Sequence, residues 1–423
     1  MSDLYLWLFI STCFGLLAWG IIRLERIYQY PFFMGATFVS FVLPQAIALY
    51  NNPGIVTQTA LARVLLMSCL CAAMCWLGYQ LPPNPQWLKK LNISLDERKL
   101  FRAGIALMIL GYFFNFLLSI TNIQTAANSN WTGPATIYVF FAQVIYIAFA
   151  IFLLQTLKYP TAKNIIYTIL ASIPLLSTII SAGRRQPTII FLVIIGLSFW
   201  YARRFTPPRW LIILLIFLSI YIIPALGHLR GNFWNLVFSN DWQSLSSSSQ
   251  ASLDSVLEGK TLELRNAALL MDAATHTSRY GYGTGYWDSF IFQYVPGQIL
   301  GYDFKESLQF KWGAYNLGLY NYSIPRGSTN TGIGDSFVEF DYFGCLIFAF
   351  IGFIFKNIWI SSVYQKSVTS KLIYIGLLSP AMVGITHGTS RFFQEAIFQL
   401  TFIGLVAYYS RVKHHYYELK NNE

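Results

Sequence analysis

Apolar stretches of roughly bilayer length recur along the chain, separated by short polar turns; a helix needs about 20 apolar residues to cross the hydrocarbon core. Eleven such stretches run near 4–22, 31–50, 60–80, 101–121, 136–157, 165–182, 187–202, 210–227, 336–356, 371–387 and 392–410. The pattern predicts an all-α polytopic membrane protein with about 11 transmembrane helices. The seventh, tenth and eleventh stretches are short or tightly linked, so each is a candidate for a broken or re-entrant helix. An odd count puts the termini on opposite sides. One interval breaks the rhythm: residues 228–335 form a connection far longer than two helices require. The chain thus divides into spans 1–8 (1–227), one large exoplasmic loop (228–335), and spans 9–11 with a tail (336–423). Inside the loop, Ser246 to Ser249 reads as a flexible polar patch. From Ala251 to His276, apolar Leu253, Leu257, Leu264, Ala267, Leu270 and Met271 fall near helical spacing, which predicts an amphipathic helix against the spans or the membrane surface. Trp234, Trp242, Trp287 and Trp312 suit an interfacial position and also stacking on sugar rings.

Composition excludes a soluble enzyme. Of 423 residues, 55% are hydrophobic and only 11% charged, whereas soluble domains carry about a quarter of their residues as charges. A net charge of +11 would point to nucleic acid in a soluble chain. Here the cations cluster between apolar runs, where they set topology, and no nucleic-acid partner is expected. Counted over short loops, eighteen cations fall on the side of the C-terminus and three on the other, which orients the N-terminus outside and the C-terminus in the cytoplasm. The start, Met-Ser-Asp, lacks a basic region before its apolar run, so the first span is expected to be retained rather than cleaved. The five cysteines all lie inside apolar runs and read as small core residues; no metal site or cofactor is expected.

The three cations on the outer side call for another explanation. Arg184 and Arg185 follow the sixth span in Ser181-Ala-Gly-Arg-Arg-Gln-Pro187, and Arg391 sits in the tight turn His387-Gly-Thr-Ser-Arg391. His228 and Arg230, in Gly227-His-Leu-Arg-Gly231, open the long loop at the same level. Guanidinium forks fixed at a membrane surface match a phosphate or pyrophosphate; the plainer alternative is snorkelling to headgroups or capping of helix C-termini. Arg63, inside the third span, is a lesser candidate. A second constellation opens the ninth span: Arg326, Asn330, Asp335, Glu339 and Asp341. Asp335 and Glu339, four apart, share a helical face, and Asp341 is turned away. Carboxylates entering an apolar helix call for pairing with arginine or for a use in proton transfer. His387, His228 and Glu339 are the candidate bases, His387 first. Gly281-x-Gly-x-Gly285 lacks the rest of a dinucleotide fingerprint and reads as a flexible turn.

The run Gly332-Ile-Gly-Asp-Ser-Phe-Val-Glu-Phe-Asp-Tyr-Phe-Gly344, after a large loop containing Tyr294-Val-Pro296, resembles the late segment of Wzy-type oligosaccharide repeat-unit (O-antigen) polymerases. The Ser-Ala-Gly-Arg-Arg turn is similar to the Ser/Gly-Arg element these proteins carry after a middle span, and Asp341 stands where a glycine is common. The resemblance implies a GT-C-related fold and a glycosyltransferase at the outer face of the bacterial cytoplasmic membrane. Donor and acceptor would both be polyprenyl-pyrophosphate-linked oligosaccharide, with membrane lipids, a chain-length regulator and a flippase as partners. Two other classes stay open: a ligase-like glycan transferase, which would use the same arginines and a similar loop, and a lipid-linked oligosaccharide flippase, against which stands the gathering of polar residues at one face with one large loop rather than at midplane sites.

Overall fold

In the computed structural model the described residues are 1–121, 124–125, 131–132, 134–182, 185–229, 233–258, 263–312, 315, 317–325 and 327–412. They form helices throughout, save one two-residue antiparallel pair, Gln124↔Thr132 and Thr125↔Trp131. In chain order the helices are α1 (Ser2–Ile22), α2 (Tyr30–Thr37), α3 (Leu43–Asn51), α4 (Gln58–Gln80), α5 (Pro85–Leu91), α6 (Glu97–Ile120), α7 (Pro134–Ala142), α8 (Val144–Lys158), α9 (Ala162–Ala182), α10 (Arg185–Arg203) and α11 (Arg209–His228). There follow α12 (Phe233–Phe238), α13 (Trp242–Leu257), α14 (Glu263–Thr277), α15 (Thr284–Tyr294), α16 (Gly297–Leu300), α17 (Tyr302–Ser307), α18 (Thr331–Phe340), α19 (Cys345–Val363), α20 (Val368–Thr386) and α21 (Thr389–Ser410).

Among the described residues, nine helical stretches are long and apolar enough to cross a membrane: Ser2–Ile22, Tyr30–Asn51, Gln58–Gln80, Glu97–Ile120, Pro134–Lys158, Ala162–Ile180, Gln186–Arg203, Thr331–Val363 and Val368–Thr386. The count is therefore nine where the sequence pattern predicts eleven. The apolar part of α11 within the described residues is short, Arg209–Ser219. α21 has the length, but Arg391, Gln394, Glu395 and Gln399 dilute its hydropathy. Such a set of apolar helices makes the chain a polytopic membrane protein by length and composition.

Irregularities fall at other spans than the sequence suggests. The second span carries a π-turn at Phe38–Val42, just where Pro44 has no N–H to give the Ser40 carbonyl. The fifth is interrupted at Gln143, between α7 and α8. The stretch Thr331–Val363 breaks between α18 and α19, where Asp341–Gly344 form a 3-10 turn and Asp341 takes φ +53°. By contrast α9 stays unbroken through Pro174, whose missing N–H leaves the Leu170 carbonyl open; the Tyr112 hydroxyl donates to it at 2.7 Å.

The bundle has two distinct ends. One, here the loop end, holds the long connection between α11 and α18, together with the starts of α4, α10 and α21. The connection begins after His228 and gives way to helix already at Thr331, so Asp335 lies within α18 rather than at a loop margin. Ser246 to Ser249 fall inside α13, which corrects the expected flexible patch, and the single amphipathic helix expected over 251–276 is two, α13 and α14. α14 buries Leu264, Ala267, Ala268, Met271 and Ala274 against α4, α3 and α18, so the connection shares the bundle's core. It is pinned there by polar contacts: Gln45 accepts from the Leu264 N–H at 3.0 Å, and Asn266 donates to the Thr329 carbonyl at 2.7 Å.

Close backbone approach ties α4 to α19. A Cβ on Gly78 would sit 1.9 Å from the Ala349 carbonyl oxygen, and one on Gly352 would sit 2.8 Å from that of Cys75. Small residues at such a crossing let dispersion contacts run the length of both helices. Gly78→Ala is expected to push the two helices apart and destabilise the protein by about 1–3 kcal/mol, the usual scale of overpacking; a fall in the thermal unfolding midpoint in detergent, absent for Gly15→Ala, which has open space around it, checks this.

Candidate functional site

At the loop end two carboxylates one turn apart on α18 organise the elements around them. The Asp335 Oδ2 accepts from the Thr389 hydroxyl at 2.7 Å and the Ser390 backbone N–H at 2.8 Å. Thr389 and Ser390 are the first turn of α21, whose N-cap, Gly388, has no side chain to offer; Asp335 supplies the missing acceptor from another helix. Glu339 does the same for α15. Its Oε2 accepts from the Gly283 N–H at 2.7 Å and the Gly285 N–H at 3.4 Å. The glycines are required: a Cβ on Gly281 would lie 2.4 Å from Glu339 Oε2, one on Gly285 2.0 Å from Oε1, and Gly283 itself adopts φ +92°. What reads as a flexible turn in the sequence is a fitted cradle for a carboxylate.

Glu339 is 3% exposed, and among the described residues neither acid makes an ion pair. Where the sequence predicts pairing with arginine or a use in proton transfer, the partners seen are the positive ends of two helices. Tyr286 on α15 extends the Asp335 contact, its hydroxyl lying 2.8 Å from the Thr389 hydroxyl. Because Thr389 donates onward to Asp335, Tyr286 is the donor of that pair. Burial, then the nearby Asp335 charge, pushes the Tyr286 phenol far above its ordinary value, so it keeps its proton.

The capped start of α21 carries Arg391, which is 40% exposed at its side chain. Its Nε donates to Glu395 at 3.0 Å, and Nη1 reaches Gln394 at 3.3 Å and Gln293 of α15 at 3.5 Å. Nη2 has no partner among the described residues. Gln186, in the first turn of α10, donates to both Glu395 oxygens at 3.1 Å. The start of α10 is therefore fastened beside the start of α21. His387 lies exposed in the two-residue link between α20 and α21, its Nδ1 2.8 Å from the Thr386 hydroxyl.

Of the residues singled out in the sequence, Asp335, Glu339, His387 and Arg391 meet at this corner of α18, α20 and α21. Arg185 opens α10 next to Gln186, with its side chain outside the described residues; His228 ends α11 and is in the same position. Arg184, Arg230 and Arg326 lie outside the described residues. Asp341 faces away, beside Tyr280, in a backbone conformation that favours glycine. Arg63 is committed elsewhere: it pairs at 2.8 Å with buried Asp272 of α14. Asp272 also accepts from Tyr320 at 3.0 Å, and burial followed by that hydrogen bond pushes the Tyr320 phenol up to about 12.

Sequence reasoning passes over Glu395, Gln186, Gln293 and Tyr286. Glu395 alone carried a local signal, since it lies four residues after Arg391 on one helical face; the others come from distant segments. Among the described residues no group of three or more His, Cys, Asp and Glu could hold a metal ion. No known family, curated protein or solved structure matches the chain.

Asp335→Ala should leave the Ser390 N–H and the Thr389 hydroxyl without an acceptor and destabilise the protein by about 1–3 kcal/mol, whereas Asp335→Asn keeps an acceptor and most of the stability. Thermal unfolding of both variants in detergent checks the difference; equal losses would show that charge rather than acceptor geometry matters.

Proposed function

We propose that this chain is a membrane-embedded glycosyltransferase that joins polyprenyl-pyrophosphate-linked oligosaccharide units into a longer glycan at its loop end. The observation that carries the reading is Arg391. It is a half-exposed guanidinium held by Glu395, Gln394 and Gln293, with Nη2 unengaged among the described residues and an exposed histidine four positions before it. A fork fixed in this way suits a phosphate oxygen. Gln186 ties the start of α10 to the same spot, and in sequence it directly follows Arg184 and Arg185. The resemblance of Gly332–Gly344 to the late segment of repeat-unit polymerases supplies the reaction, and with it a GT-C-related fold. The cation count supplies the orientation, with the loop end outside the cytoplasmic membrane.

In this reading the acceptor's hydroxyl oxygen forms a bond to the donor's anomeric carbon. The bond from that carbon to the pyrophosphate breaks, and its electron pair leaves with the lipid pyrophosphate. Arg391, with Arg184, Arg185 and Arg230 as further candidates, stabilises the charge on the departing group. The hydroxyl proton passes to His387. Buried Glu339 and Asp335 act as positioning residues, holding α15 and α21 so that Gln293 and Arg391 face one another. His228 is a second base candidate, and Arg326 and Asp341 are assigned no step.

Arg391→Ala is expected to reduce chain growth about 100-fold or more, the scale set by loss of one charge-stabilising donor, in a protein that still elutes as a single folded species although Glu395 loses its ion-pair partner. Normal polymer from that variant would sink the assignment. Deleting the gene and resolving surface and lipid-linked glycans by size separates the alternatives. Single units on the outer leaflet mean polymerase. Long polymer stranded on the lipid means ligase, and units trapped on the cytoplasmic leaflet mean flippase.

A further inference from the structure

The end of the bundle opposite the long connection holds a cavity of about 570 Å³ between α6, α8, α9, α10 and α20. Its rim carries five cations: Arg98 and Arg102 of α6, Lys158 of α8, Lys163 of α9 and Lys371 of α20. Glu97 is the one acid in the lining, and it is already paired with Lys158. The other four cations make no ion pair among the described residues. Lys163 sits over the Phe101 ring, 4.2 Å from its centroid, and Lys371 over that of Tyr201 at 5.7 Å. Ring faces hold these ammonium groups in place without neutralising them. The inner wall is apolar, formed by Leu100, Phe101, Ile151, Leu154 and Leu372.

We propose that this cavity binds the headgroup of an anionic phospholipid, its phosphate among the rim cations. Topology alone places cations at one end of a membrane protein, but it scatters them over loops. Here they surround one concavity, with an excess of positive charge that no carboxylate among the described residues pairs with. Two features favour a lipid over a soluble phosphate ester. The wall behind the cations is apolar, and the rim at Lys163 and Asn164 runs directly into the exposed apolar face of α9, where Ile165, Ile166, Ile169 and Ile173 are all exposed. Acyl chains can lie along that face while the phosphate stays among the cations. Basic pockets between membrane helices take headgroups in this way. The site is independent of the glycan-transfer reading: it lies at the other end of the bundle and shares no residue with it.

The test uses the full chain, delipidated in neutral detergent and titrated with phosphatidylglycerol or phosphatidylcholine, with retained lipid counted by native mass spectrometry. One phosphatidylglycerol is expected to be held in preference to phosphatidylcholine. Arg102→Gln combined with Lys371→Gln should weaken that retention roughly thirtyfold, from about fivefold for each juxtamembrane cation. Lys89→Gln combined with Arg203→Gln removes two cations of the same end that do not line the cavity, and should leave retention within about twofold of the parent. Equal losses from the two pairs would overturn the proposal in favour of a diffuse field. Full displacement of the lipid by an equal concentration of glycerol phosphate would overturn it in favour of a soluble phosphate ester. Elution as a single species and an unchanged unfolding midpoint show that each pair remains folded; should the cavity pair unfold, Lys163→Gln alone, on an exposed side chain, repeats the comparison with about a fivefold expected loss.

Discussion

A buried carboxylate must be given hydrogen-bond donors or be neutralised, and α18 carries two of them one turn apart. Both are satisfied by the N-termini of other helices, Asp335 by α21 and Glu339 by α15. Each carboxylate meets donors that a helix start leaves unused in any case, and the partial positive charge there opposes its own. One short helix thereby fixes the entry points of two others. Everything proposed for the loop end rests on that arrangement. Arg391 directly follows Ser390, and Gln293 lies in the helix whose start Glu339 holds.

The two ends of the bundle solve opposite electrostatic problems. At the loop end several charges are engaged within the protein: Arg63 with Asp272, Arg391 with Glu395, Asp335 and Glu339 with helix starts. Polar groups there are tied to one another and carry shape. At the other end, cations outnumber acids and several meet only aromatic rings. That end is left with an unbalanced field, which acts on whatever anion lies in the adjoining bilayer.

The helices were legible in the sequence because apolar runs of bilayer length are a one-dimensional signal. Which of them pass as spans was less so. α21 turns Gln394, Glu395 and Gln399 towards its neighbours, wholly or partly buried, and burial by other helices cannot be read along a single stretch. The site was half legible. Arg391 and His387 stand out as polar residues in a short turn, and Asp335 and Glu339 as acids in an apolar run. Their partners do not stand out, because Gly283 and Gly285 precede Glu339 by more than fifty residues and bind through backbone N–H groups that any residue possesses. Only the absence of side chains marks them, and in sequence that reads as a turn. The pairing of Arg63 with Asp272 is hidden by a still longer separation.

The placement of α18 in chain order bears on how the protein is made. Glu339 finds its donors in a segment already synthesised, so that contact can close as α18 emerges. Asp335 cannot: Thr389 lies 54 residues later in the chain, and until α21 arrives the carboxylate lacks the donors of Thr389 and Ser390. Seating α21 and satisfying the acid inside α18 are therefore one event: a chain in which α21 is displaced carries a buried carboxylate short of two donors, at the cost that burying an unsatisfied polar group brings.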